Sequence, residues 1–220
     1  MNSQDGRIGP EASMVPPPAD RLIVRFADAA IVCFAVFALG IVLMHLLRPD
    51  YAVSTHMISH YAVGPWGGVM TTAYSSASLG CLMLALGLLR SRPGSIAGWL
   101  ATVLLAVASM GLAIAAAFPA DLPGAPPTTT GDIHEVSFLV NVACLVLAAV
   151  TTAVVALRDE RWRAHRLAAT VLALLLVVAV VVQFMTLHRG MPYGVANRFL
   201  VAVMTVWFVV TAIRLRRLVV

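Results

Sequence analysis

His56 and His60 stand one helical turn apart in the stretch Thr55-His56-Met57-Ile58-Ser59-His60-Tyr61, with Ser59 beside the second imidazole. Two histidines at that spacing can grip one metal ion from a single face, and a serine next to an imidazole can become a nucleophile. A catalytic zinc takes three protein ligands, so His56 and His60 are a partial site that His45, His134, Glu135 or an aspartate would have to complete. The nucleophilic alternative uses Ser59 with His134 as base and Asp121 as the orienting carboxylate. No HExxH context accompanies either arrangement, and the plain alternative is a set of polar residues meeting water at a membrane surface.

Two further groups carry potential chemistry. His134, Ser137, Asn141 and Cys144 fall on one face at helical spacing, which puts Asn141 about 10 Å below His134 along the axis. Such a stripe should face protein or a cavity rather than lipid. Thr71, Ser75, Ser78 and Cys81 form a second stripe of the small, hydroxyl-bearing kind that marks close helix packing. Arg198, preceded by Asn197, needs a headgroup phosphate or a carboxylate such as Asp121, Asp132 or Glu135, and its planar fork suits an anionic ligand equally well. Asp28 is expected to pair with Arg25 or a loop arginine, and Trp207 to sit in the core.

The elements that must position these residues are apolar helices. Of 220 residues, 60% are hydrophobic and 11% charged, and the mean hydropathy is +0.92. So little polar surface excludes a soluble globule and makes the chain an integral membrane protein. The sequence predicts six spans, at residues 26–47, 67–89, 96–118, 134–157, 167–187 and 198–213, each about long enough to cross 30 Å of hydrocarbon. Arg92-Pro93-Gly94, the proline-rich run from Pro119 to Gly131, Asp159-Glu160-Arg161 and Gly190 to Gly194 supply the breaks. Residues 1–20, with the run Pro16-Pro17-Pro18, read as a disordered tail ahead of a transmembrane domain at 21–217. The predicted fold class is therefore all-α, a polytopic six-helix transmembrane bundle.

All fifteen basic residues are arginine, which excludes lysine Schiff-base chemistry. Arg7, Arg21, Arg25, Arg90, Arg92, Arg158, Arg161, Arg163, Arg166, Arg214, Arg216 and Arg217 would lie on one side, against Arg48, Arg189 and Arg198 on the other. By the positive-inside rule both termini are cytoplasmic. His45, His56, His60, His134 and His188 then share the outer face, where Tyr51, Tyr61, Trp66 and Tyr193 form an aromatic belt. Thr55 to Tyr61 is expected to lie on that face as a short amphipathic helix with its histidines toward water. The formal charge of +5 serves topology, and nucleic-acid binding is discarded. Cys33, Cys81 and Cys144 lie in separate spans and indicate no disulfide framework.

Several short motifs give a family resemblance. Ile58-Ser59-His60-Tyr61-Ala62 with Gly64-Pro65, Phe118-Pro119-Ala120-Asp121, Gly131 with His134, and Gly194 with Asn197-Arg198 resemble the bacterial six-span family known as domain of unknown function 998, itself similar to the Frag1, DRAM and Sfk1 group. The resemblance covers residues 26–215 and implies a six-helix bundle with a polar outer mouth, without bringing an established activity. In that family the position of His60 is often acidic and that of Asn197 often glutamate, so this chain departs from the pattern at both.

The favoured function is a non-enzymatic, multi-pass protein of the cell membrane, with a transport or membrane-organising role. It would bind an anionic lipid headgroup or small solute at an outer mouth between the second, fourth and sixth spans. The candidate binding residues are His56, Ser59, His60, Asp121, His134, Glu135, Asn141 and Arg198. The alternative is a membrane hydrolase, metal-dependent through His56, His60 and His134 or built on Ser59 and His134. A haem-binding bundle is the remote third, since paired histidines on opposite sides of the membrane are missing. No cofactor is predicted, a metal ion being the one such group these side chains could hold.

Overall fold

A computed structural model describes residues 18–91, 94–188 and 190–219. Of the tail expected over residues 1–20, residues 1–17 lie outside them, as do Arg92, Pro93 and Arg189, while residues 18–20 open the first helix. The regular structure of the described residues is helical, without a strand, and forms six long helices: α1 (Pro18–Leu47), α2 (Gly67–Arg90), α3 (Ile96–Ala117), α4 (Thr129–Arg158), α5 (Arg166–Met185) and α6 (Tyr193–Arg217). All six are long and apolar enough to cross a membrane. Short 3-10 turns at Ile58–Ala62 and Glu160–His165 interrupt two of the connections.

Each helix packs on its neighbour in sequence, α6 closes the ring against α1, and α2 also touches α6. Small residues permit this. Ala27, Ala30, Ala73, Ala77, Ala108, Ala148, Ala149 and Ala179 are fully buried or nearly so, which brings backbones close where hydrophobic expulsion from water no longer drives helices together. Larger side chains fill the centre: Phe34 of α1 stacks on Phe208 of α6 with ring centroids 4.3 Å apart, and Trp207 is fully buried beside it, as expected. The outward faces carry exposed apolar stripes such as Val32, Val36, Leu39, Leu43 and Leu46 on α1, spaced three and four apart. These faces suit a hydrocarbon solvent.

The stripe on α4 is buried at His134, Ser137 and Asn141. The one on α2 is not a single packing face: Thr71 and Ser75 are exposed, while Ser78 donates to the Ser109 carbonyl of α3 at 2.8 Å. The buried face of α2 runs instead through Met70, Ala73, Ala77, Cys81 and Leu84, where shape counts for more than hydroxyl content.

The alternating helices collect arginines at one end and histidines at the other. At the arginine end Asp28 pairs with Arg216 of α6 at 2.7 Å, so its partner is neither Arg25 nor a loop residue. Arg161 pairs with Asp159 and Arg166 with Glu160 nearby.

Candidate functional site

At the histidine end the connection from α1 to α2 folds back into the mouth of the bundle. Arg48, just past α1, fixes its two limbs: the guanidinium donates to Asp50 at 2.8 Å and to the Val63 carbonyl at 2.9 Å, and lies 3.8 Å over the Tyr51 ring. The same contact holds the Asp50 carboxyl below the usual carboxylate range. Between those limbs, Ile58–Ala62 plugs the mouth. Ile58 is 2% exposed, His60 6% and Tyr61 0%, so this segment is not an interfacial helix with histidines in water, and Tyr61 belongs to the core rather than to an aromatic belt. Its ring is wedged between those of Tyr51 and His45, with centroids 5.6 and 5.1 Å away.

Arg198 locks the plug to α6. Nε donates to His45 Nε2 at 2.7 Å, Nη1 to the carbonyls of Val53, His56 and Gly194 at 3.0, 2.6 and 2.9 Å, and Nη2 to the Tyr61 hydroxyl at 3.0 Å. His45 donates from Nδ1 to the Ile41 carbonyl at 2.8 Å, which leaves the Nε2 lone pair that the guanidinium needs. Asn197 Oδ1 accepts from the Ile58 amide at 2.9 Å. Gly194 is required here because any Cβ would strike the carbonyls of Val53 and His56. The expected carboxylate partner for Arg198 is therefore replaced by backbone carbonyls, an imidazole and a phenol. Its fork is occupied by protein.

The volume expected between the second, fourth and sixth spans is filled by this plug. The open space lies one helix over, as a cleft of about 340 Å³ between the plug, α4 and α5. The plug contributes Met57, Ser59 and His60; the loop after α3 contributes Ala120, Asp121 and Pro127; α4 contributes Asp132, His134, Glu135, Phe138 and Leu139; α5 and its C-terminal end contribute Phe184 and Leu187. A second lobe of about 270 Å³ shares Met57, His60, Asp121 and Leu187 and adds His188 and Tyr193. Polar groups thus line the upper part. Phe138, Leu139 and Phe184 line the lower part, the last two exposed on the outward face of the helices, and the exposed Leu187, just past α5, lies where the two lobes meet.

Asp121, His134 and His60 are each set by local bonds. Thr128 caps α4 by accepting from the Gly131 amide at 3.0 Å, and Asp121 accepts from the Thr128 amide and hydroxyl, both at 2.8 Å. Thr128 therefore starts α4 five residues ahead of the predicted span, and Gly131 has to be glycine because the Asp121 carboxylate occupies the place of a Cβ. His134 donates from Nδ1 to the Phe118 carbonyl at 2.8 Å, which leaves a lone pair on Nε2. His60 does the reverse, accepting at Nδ1 from the Met57 amide at 3.1 Å and carrying its proton on Nε2. Burial, reinforced by His56, His134 and Arg198, pushes the His60 imidazole down to about 4, so it is neutral at ordinary pH. No described protein group bonds either Nε2.

Ser59, His60, Asp121, His134 and Glu135 thus share one cleft. His56, Asn141 and Arg198 do not line it: His56 stacks on Tyr51 with ring centroids 4.4 Å apart, Asn141 is buried against Gly111 of α3 with Oδ1 unpartnered, and Arg198 lies across the plug. The two loop histidines meet edge to face at 5.7 Å rather than as a clasp, and among the described residues no three His, Cys, Asp or Glu side chains gather to hold a metal. Sequence reasoning missed Phe138, Leu139, Phe184 and Leu187, apolar residues with nothing to distinguish them in apolar spans, and the loop residue Met57. It offered His45 as a possible metal ligand, whereas its i−4 carbonyl contact and Arg198 make it part of the lock.

The family described as Protein of unknown function (DUF998) matches residues 31–214. No curated protein and no solved structure matches the chain. With six apolar helices and a family match over most of its length, the chain belongs to the DUF998 family of membrane proteins.

Proposed function

We propose that the protein binds an amphiphile in the cleft between α4 and α5, with the headgroup among Ser59, His60, Asp121, His134 and Glu135 and the tail along Phe138, Leu139, Phe184 and Leu187. The observation that carries this reading is the division of one cleft into a polar upper part and an apolar lower part exposed on the helices' outward face. A wholly polar solute would leave the lower part unmatched, and a hydrocarbon would leave buried imidazoles facing it. The arginine distribution supports a cell-membrane orientation with the cleft at the outer leaflet and both termini cytoplasmic. Supply of the ligand from the membrane plane fits a transport or membrane-organising role.

The test is native mass spectrometry of the protein released from micelles doped with membrane lipid extract. Wild type should retain a bound amphiphile, and Leu139→Trp, which fills the lower part from an exposed position, should lose it. Retention by neither protein, or equally by both, contradicts the reading.

A hydrolytic reading is favoured by one observation: Ser59 shares the cleft with a His134 whose Nε2 lone pair is oriented by the Phe118 carbonyl. Against it, Asp121 is bonded to Thr128, and no hydrogen bond joins Ser59 to either imidazole among the described residues. Ester hydrolysis abolished by Ser59→Ala would establish it; hydrolysis that survives that substitution would remove it.

A further inference from the structure

We infer that the headgroup selected by this cleft is an ammonium group, carried by a free amphiphilic amine or by an amino lipid, and not an anion. This rests on the amphiphile reading and adds the charge of its occupant. Three carboxylates line the cleft, Asp121 from the loop and Asp132 and Glu135 from the first turns of α4, and among the described residues no arginine does. The described arginines at this end of the bundle, Arg48 and Arg198, are already used. Arg198 spends its fork on three carbonyls, His45 and Tyr61, and Arg48 is engaged by Asp50 and Val63.

The polar atoms that remain match an ammonium. Each Asp121 oxygen accepts one bond from Thr128 and keeps a lone pair, and His134 presents another at Nε2. His60 is the independent sign of a ligand: it is 6% exposed, it lines the cleft, and its Nε2–H meets no protein acceptor among the described residues. That donor suits an ester, hydroxyl or phosphate oxygen neighbouring the amine. Being neutral, His60 does nothing to offset the three carboxylates. An isolated phosphate or carboxylate headgroup would enter with like charges on two sides and one neutral donor; an ammonium enters with acceptors on the same two sides.

The experiment uses the full chain in an uncharged detergent, titrated by calorimetry with three probes of the same alkyl length: a primary alkylammonium, an alkyl phosphate and an alkyl glycoside. The ammonium probe should saturate at least about tenfold more tightly than the phosphate. Glu135→Gln and Asp132→Asn should each weaken it by about threefold to tenfold and weaken the uncharged glycoside by less. Glu135 is exposed and caps nothing, so its variant keeps the test valid if Asp132→Asn fails to fold. Displacement of the ammonium probe by phosphatidylethanolamine but not phosphatidylglycerol identifies a membrane lipid as the source, and displacement by neither leaves a free amine; both support the ammonium. Equal or tighter phosphate binding overturns the charge assignment while the amphiphile reading stands. Failure of all three probes to saturate overturns the amphiphile reading itself.

Discussion

The two sides of the Ile58–Ala62 plug use similar residues to opposite ends. On the α6 side Arg198, His45, Asn197 and Tyr61 are bonded to one another or to backbone. On the α4 and α5 side His60 and His134 each give one ring nitrogen to the backbone and turn the other on a cleft with nothing of the protein's own bonded to it. Polar residues at a membrane surface therefore divide by saturation. Those bonded to one another or to backbone across the plug hold it in place, and those that turn a ring nitrogen with no protein partner on the cleft are the candidates for a ligand.

The largest test of this contrast is Arg198→Met. It would strip the Val53, His56 and Gly194 carbonyls of their charged donor, and bonds of that kind contribute about 1.5–3 kcal/mol each, so a loss of roughly 4 kcal/mol or more is expected in detergent melts. Arg198→Lys should recover only part, because an ammonium cannot replace the planar fork. A melt unchanged by Arg198→Met would break the contrast at its saturated side.

His60 gives the next largest effect, through pH. Its imidazole is held at about 4 in the folded protein, against about 6.5 when free. The unfolded chain takes up the proton first, so stability is intact above pH 6.5 and falls as the pH drops from 6.5 toward 4. The total is about 3 kcal/mol, levelling off below that window. The groups facing His60 that can alter this slope are His56, His134 and Arg198. His60→Gln should flatten the slope over the same range; an identical slope in that variant would place the sensitivity elsewhere.

Gly131→Ala should cost about 2 kcal/mol by displacing the Asp121 carboxylate from the cap of α4, and it should weaken ligand binding as well, because Asp121 lines the cleft. Gly194→Ala, by contrast, disturbs the Val53 and His56 carbonyls on the saturated side, and the variant that remains folded should bind as wild type does. Leu139→Trp is the smallest in stability, within about 0.5 kcal/mol for an exposed position, although its effect on binding should be complete. Melts and titrations on the same preparations separate the two kinds of effect.

Much of the bundle is legible in sequence because each span has the length and composition that a bilayer demands of a helix, and because turn residues punctuate them. The polar residues of the cleft were visible too, since Ser59, His60, Asp121, His134 and Glu135 stand out at the ends of apolar runs. Their assignment to sides was not. Arg198 looks like an anion grip until the 48–57 segment is seen to fold back and present two carbonyls to it, and that return path leaves no local pattern. His60 resembled a water-facing ligand because Ile58 and Tyr61 suggested an amphipathic turn, whereas the plug buries both faces. The lower half of the cleft is silent in sequence, since Phe138 and Phe184 differ in no local way from the lipid-facing residues around them.

The central claim is that the occupant lies on the half-used side of the plug. Photolabelling in nanodiscs with an alkylammonium bearing a photoreactive tail tests it most directly, with the modified residues mapped by mass spectrometry. The labels should fall on Phe138, Leu139, Phe184 and Leu187 and be competed away by unlabelled ligand. Competable labels concentrated on residues 194–198 and 53–56, with α4 and α5 unmarked, would contradict it.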